Sequence, residues 1–170
     1  ISFRSHNESL VEKIGERPLL TSAGEFHCTA FTDRSGGLHL ALVHGQWAPA
    51  EEIWVRVHEP FTAIDLLDVG QTRHAWPLPA ALAALRQQGA GVAVLLNCVQ
   101  GLETLIPQLL PAQRPEDMPR PQTDLRTYGV GAQILREIGV TRMKLLGHPR
   151  KMPSMAGYGL EVTGFVPPGP

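Results

Sequence analysis

The sequence is poor in cysteine, the residue that most often marks a zinc centre or a disulfide-stapled domain. Its 170 residues include only two cysteines, Cys28 and Cys98, which lie far apart in the chain. A single disulfide could join them, but a chain of this length can build a core without one. We therefore expect two reduced, buried thiols in a cytoplasmic protein.

The sequence also lacks a strong charge imbalance and a long apolar run. The formal net charge is −1 and the isoelectric point is about 6.7, which argues against a basic surface for nucleic acid. No apolar stretch approaches the roughly 20 residues needed to span a bilayer, and no signal peptide is visible. Because the chain begins with Ile1 and not with methionine, we expect it to be part of a longer protein.

Hydrophobic periodicity predicts alternating strands and helices. Segments 25–33 and 38–44 alternate like two strands of a hairpin around the turn that starts at Arg34. Ile53, Val55 and Val57 form one face of a third strand, with Trp54, Arg56 and His58 on the other. Further elements are predicted as a helix at 78–88, a buried strand at 91–96, a helix along Val130, Ile134 and Ile138, and closing strands at 142–146 and 159–166. A helix followed by a buried strand indicates a parallel crossover.

The two ends of the chain are predicted to lie outside the main domain. Ser5 and Glu8 have capping-box spacing ahead of Leu10, Val11 and Ile14, so residues 1–15 are predicted as a helical connector. The domain is predicted to span 16–166, followed by a flexible tail at 167–170. The five prolines of 107–121 indicate an irregular surface loop, with a proline-rich docking ligand as the alternative.

Three sequence segments resemble the GTP cyclohydrolase II family, and the resemblance covers roughly residues 10–166. They are the strand 55–58 (Val-Arg-Val-His), the segment 124–135 (Asp-Leu-Arg-Thr-Tyr-Gly-Val-Gly-Ala-Gln-Ile-Leu), and Pro-Arg-Lys at 149–151 followed by Gly-Tyr-Gly-Leu-Glu at 157–161. The resemblance implies a three-layer α/β/α fold with a mixed sheet. Residues 8–13 are similar to the connector that joins such domains to 3,4-dihydroxy-2-butanone 4-phosphate synthase, which implies a fused synthase domain as partner and a homodimer.

The residues that hold zinc in this family are missing. Members bind the metal through three cysteines and leave a fourth position for the water that attacks the purine ring. Aligned on His58, those cysteine positions fall on Phe61, Thr72 and His74, of which His74 alone could bind a metal. The resemblance therefore implies no zinc cofactor here.

The family's phosphate-binding residues are also depleted. Asn97-Cys98-Val99-Gln100-Gly101 stands where members carry an Arg-Gln-Glu-Gly-Arg loop, and a later stretch that closes over the nucleotide is replaced by the proline-rich segment. A triphosphate, with about four negative charges, would lose much of its charge-assisted hydrogen bonding.

The opposite side of the family's site is retained. Asp124 and Arg126 match an aspartate that accepts a proton and an arginine that attacks the α-phosphate, so the resemblance implies catalytic roles for both. The alternative is a structural ion pair, or Asp124 as the N-cap of the following helix. Arg56, His58 and Lys151 match the substrate-binding strand and lysine of the family, and the alternative for Lys151 is a solvated turn residue.

The seven histidines do not form a metal-binding motif. His58, His74 and His148 lack the tight spacing to each other, or to Cys98, that marks a ligand pair. We therefore predict no metal, and hydrogen-bonded structural roles for these side chains.

Three functions remain open from the sequence. The first is a domain that has lost zinc and GTP ring opening and acts as a structural or regulatory partner of the fused synthase. The second is a GTP cyclohydrolase II-type enzyme of altered capacity that uses Asp124 and Arg126. The third is a module that binds a nucleotide or flavin and controls the attached synthase.

Overall fold

The computed structural model describes residues 9–59, 61–67, 74–99 and 125–168. Leu66, Leu125 and Arg126 are described by their backbone alone. The proline-rich segment 107–121, Asp124, Thr72 and the last two residues of the predicted tail lie outside the described residues.

The described residues form one mixed sheet flanked by helices. In chain order the elements are β1 (Val11–Thr21), β2 (Gly24–Asp33), β3 (Leu38–His44), β4 (Glu52–His58), the one-turn helix α1 (Ile64–Leu67), α2 (Leu78–Gln88), β5 (Gly91–Leu95), α3 (Leu125–Ile138), β6 (Arg142–Leu146), a 3₁₀ turn (Ala156–Tyr158) and β7 (Glu161–Val166). The strand order is β1-β2-β3-β5-β4-β6-β7. The strands β1, β2, β3 and β5 pair antiparallel, whereas β5, β4, β6 and β7 pair parallel.

The predicted N-terminal helix is wrong at its described end, because Val11–Thr21 is strand β1. Its partner is β2, with a register shift between Lys13 and Gly15. A proline inside a strand is tolerated at the edge of a sheet, where its missing N–H faces no neighbour, and β1 is an edge strand that contains Pro18. Leu10, Val11 and Ile14 have the spacing of a helix face, but they do not share one buried face in the structure. Ile14 is 57% exposed, because β1 buries little of its surface.

Hydrophobic cores on both faces of the sheet confirm the three-layer α/β/α architecture. On β5, Val92 and Val94 pack in the core that holds α3, whereas Ala93 and Leu95 pack in the core that holds α2. Such alternation is the period-2 geometry of a strand that is buried on both sides. The buried face of α2 consists of the four predicted residues Leu78, Ala81, Leu82 and Leu85.

The order in which the strands are connected reverses at β4, and this reversal positions the site. The connection from β4 to its parallel neighbour β5 contains α2 on one face, while the return from β5 to β6 contains α3 on the other. In open α/β sheets such a reversal leaves a crevice at the carboxyl ends of the strands. Arg56 and His58, near the carboxyl end of β4, therefore lie where this architecture binds ligands.

Two further predictions concern the thiols and the membrane. Cys28 and Cys98 are free thiols, and both are half-buried, where the sequence predicted buried side chains. Burial raises the pKa of the Cys98 thiol to about 12, so this thiol stays protonated near neutral pH. Among the described helices, none combines the length and the apolar character needed to cross a bilayer.

Candidate functional site

Arg56 organises the polar end of the site. Its side chain is 6% exposed, and its Nη1 donates to the Leu146 carbonyl at the end of β6, at 3.0 Å. Its Nη2 reaches Nδ1 of His58 at 3.3 Å and Nδ1 of His74 at 3.4 Å. The Nε atom is buried and has no hydrogen-bond partner among the described residues. A buried donor without a partner is costly, so the other contacts of the guanidinium must hold Arg56 in place.

Two stacked imidazoles join Arg56 to a buried carboxylate. The rings of His58 and His74 lie 3.8 Å apart between centroids. Oδ1 of Asp65 lies 3.2 Å from Nε2 of His58, without the alignment of a hydrogen bond, and 3.6 Å from Nε2 of His74. The other oxygen, Oδ2, accepts the Thr62 backbone N–H at 2.8 Å. One guanidinium and one carboxylate thus enclose two histidines, and we refer to these four side chains as the Arg56–Asp65 network.

The pKa shifts keep Arg56 charged, His58 neutral and Asp65 ionised near neutral pH. Burial lowers the pKa of Arg56 to about 10, with a further decrease from Arg150 that Asp65 opposes, so Arg56 remains a cation. Burial lowers the pKa of His58; Asp65 opposes this shift and Arg56 adds to it, so the ring is neutral. Burial alone would raise the pKa of Asp65, but His58, the Thr62 N–H and His74 together lower it. The result is a compensated pair of charges.

The stability of the domain is expected to fall on acidification, beginning near the ordinary histidine pKa of 6.5. Below that value an unfolded His58 is protonated, while the folded ring stays neutral until its own lower pKa is reached. The unfolded state therefore binds more protons, and the free energy of unfolding decreases as the pH falls. Asp65 acts in the same direction at lower pH, because its folded pKa is also lowered. Urea unfolding at about pH 7, 6 and 5 should show this decrease, and equal midpoints would contradict it.

The described residues do not fit the three-cysteine zinc site of the family. At the first cysteine position the Phe61 ring lies edge-on to His58, with centroids 6.5 Å apart, and packs against the core that includes Trp76. Phenylalanine has no metal-ligating atom. The second position, Thr72, lies outside the described residues, and the third holds His74.

The fold also brings His58, Asp65 and His74 together, with donor atoms within 4.8 Å of one another. This grouping was not apparent from sequence spacing. Arg56 has only hydrogen-bond donors, so the Nδ1 atoms facing it must accept, and each neutral ring then carries its proton on Nε2. A cation bound at Nε2 would move that proton to Nδ1, against the Arg56 donors. In this arrangement the two Nδ1 atoms are matched to the Arg56 donors, and the predicted absence of a metal stays a prediction.

The other predicted site residues are placed unevenly. Arg56 and His58 come together as expected, whereas Lys151 is exposed and does not line the cavity beside Arg56. Arg126 lies in the first turn of α3, with its side chain undescribed, and Asp124 lies outside the described residues. The catalytic roles of Asp124 and Arg126 therefore stay predictions.

Two residues of the site were missed from the sequence, Asp65 and Arg150. Asp65 had a detectable signal: Thr62-Ala-Ile-Asp65 has capping-box spacing, and the Asp65 carboxylate does accept the Thr62 N–H. Arg150 had no such signal, because an arginine next to a lysine in a turn gives no indication of which side chain faces inward.

A cavity of about 330 Å³ opens at this edge of the sheet. Arg56, His74 and Arg150 contribute its polar lining, together with Glu59, while α3 and the segment before β7 contribute apolar side chains. The fold and the site thus define an α/β domain with a ligand-sized cavity at the carboxyl ends of its parallel strands.

Comparison with known proteins gives the family. The family model described as GTP cyclohydrolase II matches residues 12–167. The chain is 40% identical over 166 residues to a 3,4-dihydroxy-2-butanone 4-phosphate synthase of Neisseria meningitidis serogroup B, covering 97% of this chain and 45% of that protein. It is 36% identical to the riboflavin biosynthesis protein RibBA of Parabacteroides distasonis, covering 98% and 44% of the two chains.

A solved structure shows the same fold. RibBX of A. baumannii, described as a two-domain 3,4-dihydroxy-2-butanone 4-phosphate synthase, matches with a TM-score of 0.61 and 26% identity, over 98% of this chain and 43% of that one. The chain belongs to the GTP cyclohydrolase II family. It spans less than half the length of the curated relatives named above.

Proposed function

We propose that this is a GTP cyclohydrolase II-like domain of riboflavin biosynthesis that has lost GTP ring opening and acts as a structural or regulatory partner of a fused 3,4-dihydroxy-2-butanone 4-phosphate synthase. The observation that carries the proposal is the Phe61 ring, which packs beside His58 where the family has its first zinc cysteine. Without three thiolates, the site cannot generate metal-bound hydroxide in the way the family does.

The surroundings of Phe61 support the same proposal. Two of the polar groups facing the site, Arg56 and Asp65, compensate each other's charge through the histidines. Just after the carboxyl end of the neighbouring strand β5, the Asn97 amide donates a hydrogen bond to Glu59 at 2.9 Å. The family has a phosphate-binding arginine loop at this place. This edge is therefore organised around internal contacts.

The partner is inferred from the relatives. Proteins similar to this chain over nearly its whole length are named as the synthase, and each is more than twice as long as the matched region. We infer that the remaining length of such proteins contains the synthase, to which this domain is attached. The predicted homodimer stays a prediction.

The loss of ring opening is tested by turnover. The purified chain, supplied with GTP, Zn²⁺ and Mg²⁺, is expected to release neither formate nor pyrophosphate, while a three-cysteine member of the family assayed in parallel releases both. Metal analysis of the chain should find less than one equivalent of zinc. A full equivalent of zinc together with formate release would show that the proposal is wrong; pyrophosphate alone would favour an altered enzyme that uses Asp124 and Arg126.

The partner role is tested on the longer protein. Deleting this domain from the fusion is expected to lower the thermal stability or the activity of the synthase portion. An isolated synthase portion with unchanged stability and activity would contradict the partner role while leaving the loss of ring opening intact.

A further inference from the structure

Strand β1 is a long edge strand that neither helical layer covers. It has 11 residues, where strands usually have about 5–6, and β2 is the only described strand that pairs with it. Residues 12–18 are all exposed. Because successive side chains of a strand point to opposite faces, exposure of such a continuous run means that neither face is packed there. The outer edge of β1 is therefore open to another strand.

The charges along β1 complement themselves. Residues 12–17 read Glu-Lys-Ile-Gly-Glu-Arg. If a second copy of β1 lies antiparallel to the first, centred between positions 14 and 15, Lys13 faces the partner's Glu16 and Glu12 faces the partner's Arg17. Opposite charges directly across two strands attract, whereas a parallel pairing in the same register would place each charge opposite its like. The order of charges therefore favours an antiparallel pair of identical strands.

This order also distinguishes pairing from protection against aggregation. Protected edges commonly carry charges of one sign, above all lysines, which repel a second copy of the same edge. On β1 the two acidic and the two basic residues cancel, and in the antiparallel register they attract. The pairing uses the outer edge of β1 in both copies, so it closes as a dimer with twofold symmetry.

The contacts within one chain do not compete strongly with this arrangement. Lys13 and Glu16 already lie together, with 2.5 Å between Nζ and Oε2, but both side chains are exposed. An exposed ion pair contributes little to stability, so these side chains can exchange it for the same contact across the two strands.

The centre of the proposed pair is apolar. Ile14 is 57% exposed, and the antiparallel register places it across from the partner's Gly15. A Cβ on Gly15 would meet no described atom within 4 Å, so packing within one chain gives no reason for a glycine. In the pair, Gly15 is backbone that the partner's Ile14 can cover. The register shift against β2, between Lys13 and Gly15, lies at this centre, so the backbone hydrogen bonds of the pair are expected at 12–13 and 16–17.

We propose that β1 is the interface with a second copy of this chain, formed by antiparallel pairing of residues 12–17 of the two copies about a twofold axis. The two sheets then become one continuous sheet. A pairing this short is a small interface, which corresponds to a dissociation constant in the micromolar range. The inference goes beyond the proposed function, because it depends neither on the loss of ring opening nor on the fused synthase.

Charge reversal tests the register. Sedimentation velocity of the whole 170-residue chain, from about 1 to 100 µM, is expected to show a monomer–dimer equilibrium. Lys13→Glu places like charges face to face at both ends of the pair, and Glu16→Lys does the same with the opposite sign. Each variant should therefore weaken association at least about tenfold. Arg142→Glu, a matched reversal of an exposed residue on the distant strand β6, should change it less than about twofold.

Mixing the two variants is the sharpest comparison. Lys13→Glu chains carry acids at both positions and Glu16→Lys chains carry bases at both, so an equimolar mixture should form a heterodimer about as tightly as the unmodified chain forms its dimer. Chains with both substitutions should also pair with each other. Thermal melting of each variant alone checks its folding.

Three results would overturn the proposal. The first is an unmodified chain that stays monomeric at about 100 µM, which would leave β1 to another occupant such as the synthase portion of a longer protein. The second is a dimer that neither single reversal weakens, and the third is a mixture that associates no more tightly than the separate variants.

Discussion

Replacing Asp65 with alanine is expected to lower the free energy of unfolding by about 3–5 kcal/mol, the cost of leaving a buried charge without its partner. The change removes the only described carboxylate in contact with the stacked His58 and His74 rings, and the acceptor for the Thr62 N–H. The Arg56 guanidinium, 6% exposed, would then remain buried without the carboxylate that raises its pKa. Urea or guanidinium unfolding monitored by tryptophan fluorescence measures the effect.

Two further variants identify the source of this cost. Asp65→Asn keeps an oxygen for the Thr62 N–H but removes the charge, so it should give an intermediate loss. Glu161→Gln breaks an exposed contact with Arg142, at 3.3 Å, and should change stability by less than about 1 kcal/mol. A loss below about 1 kcal/mol for Asp65→Ala would show that the network does not hold the buried arginine.

Replacing Gly45 with alanine is expected to destabilise the domain by about 3 kcal/mol. Gly45, directly after β3, has a φ of +79°, a region that costs an L-residue about 1–2 kcal/mol. A Cβ at this position would also collide with the backbone carbonyl of Gly89 and with Ala90, and relieving such overpacking costs about 1–3 kcal/mol. Chemical denaturation again gives the difference.

Gly36 provides the matched control for Gly45. It has a similar φ of +85°, but a Cβ there would meet nothing within 4 Å. Gly36→Ala should therefore show the conformational cost alone, about 1–2 kcal/mol. Equal losses in the two variants would mean that the loop after β3 moves away from Gly89 without strain.

The strands and helices that bury apolar side chains were predictable from the sequence, and β1 was not. On α2 and β5 the periodicity reflects burial directly, since Leu85 and Val92 are fully buried. On β1 the pairing comes from the backbone of β2, and the side chains contribute little burial information. An edge strand without a buried face has no period-2 signal to detect.

The candidate site was predictable only in part, for a different reason. Arg56 and His58 could be found because they share one strand face and match the family. Asp65 and His74 join them through the fold of the chain after β4, and Arg150 through the turn after β6. Contacts between side chains so distant in sequence depend on tertiary geometry that local spacing does not encode.

The central place of β4 has a consequence for the order in which the domain can assemble. Strands β1, β2 and β3 join neighbours in sequence, whereas β4 receives its two partners only when β5 and β6 exist, and the Arg56 contact with Leu146 spans 90 positions. Contacts of long sequence separation form slowly, because loop closure precedes any gain from pairing. During synthesis the N-terminal meander can therefore form early, while Arg56 acquires its contact with Leu146 only after β6 has emerged from the ribosome.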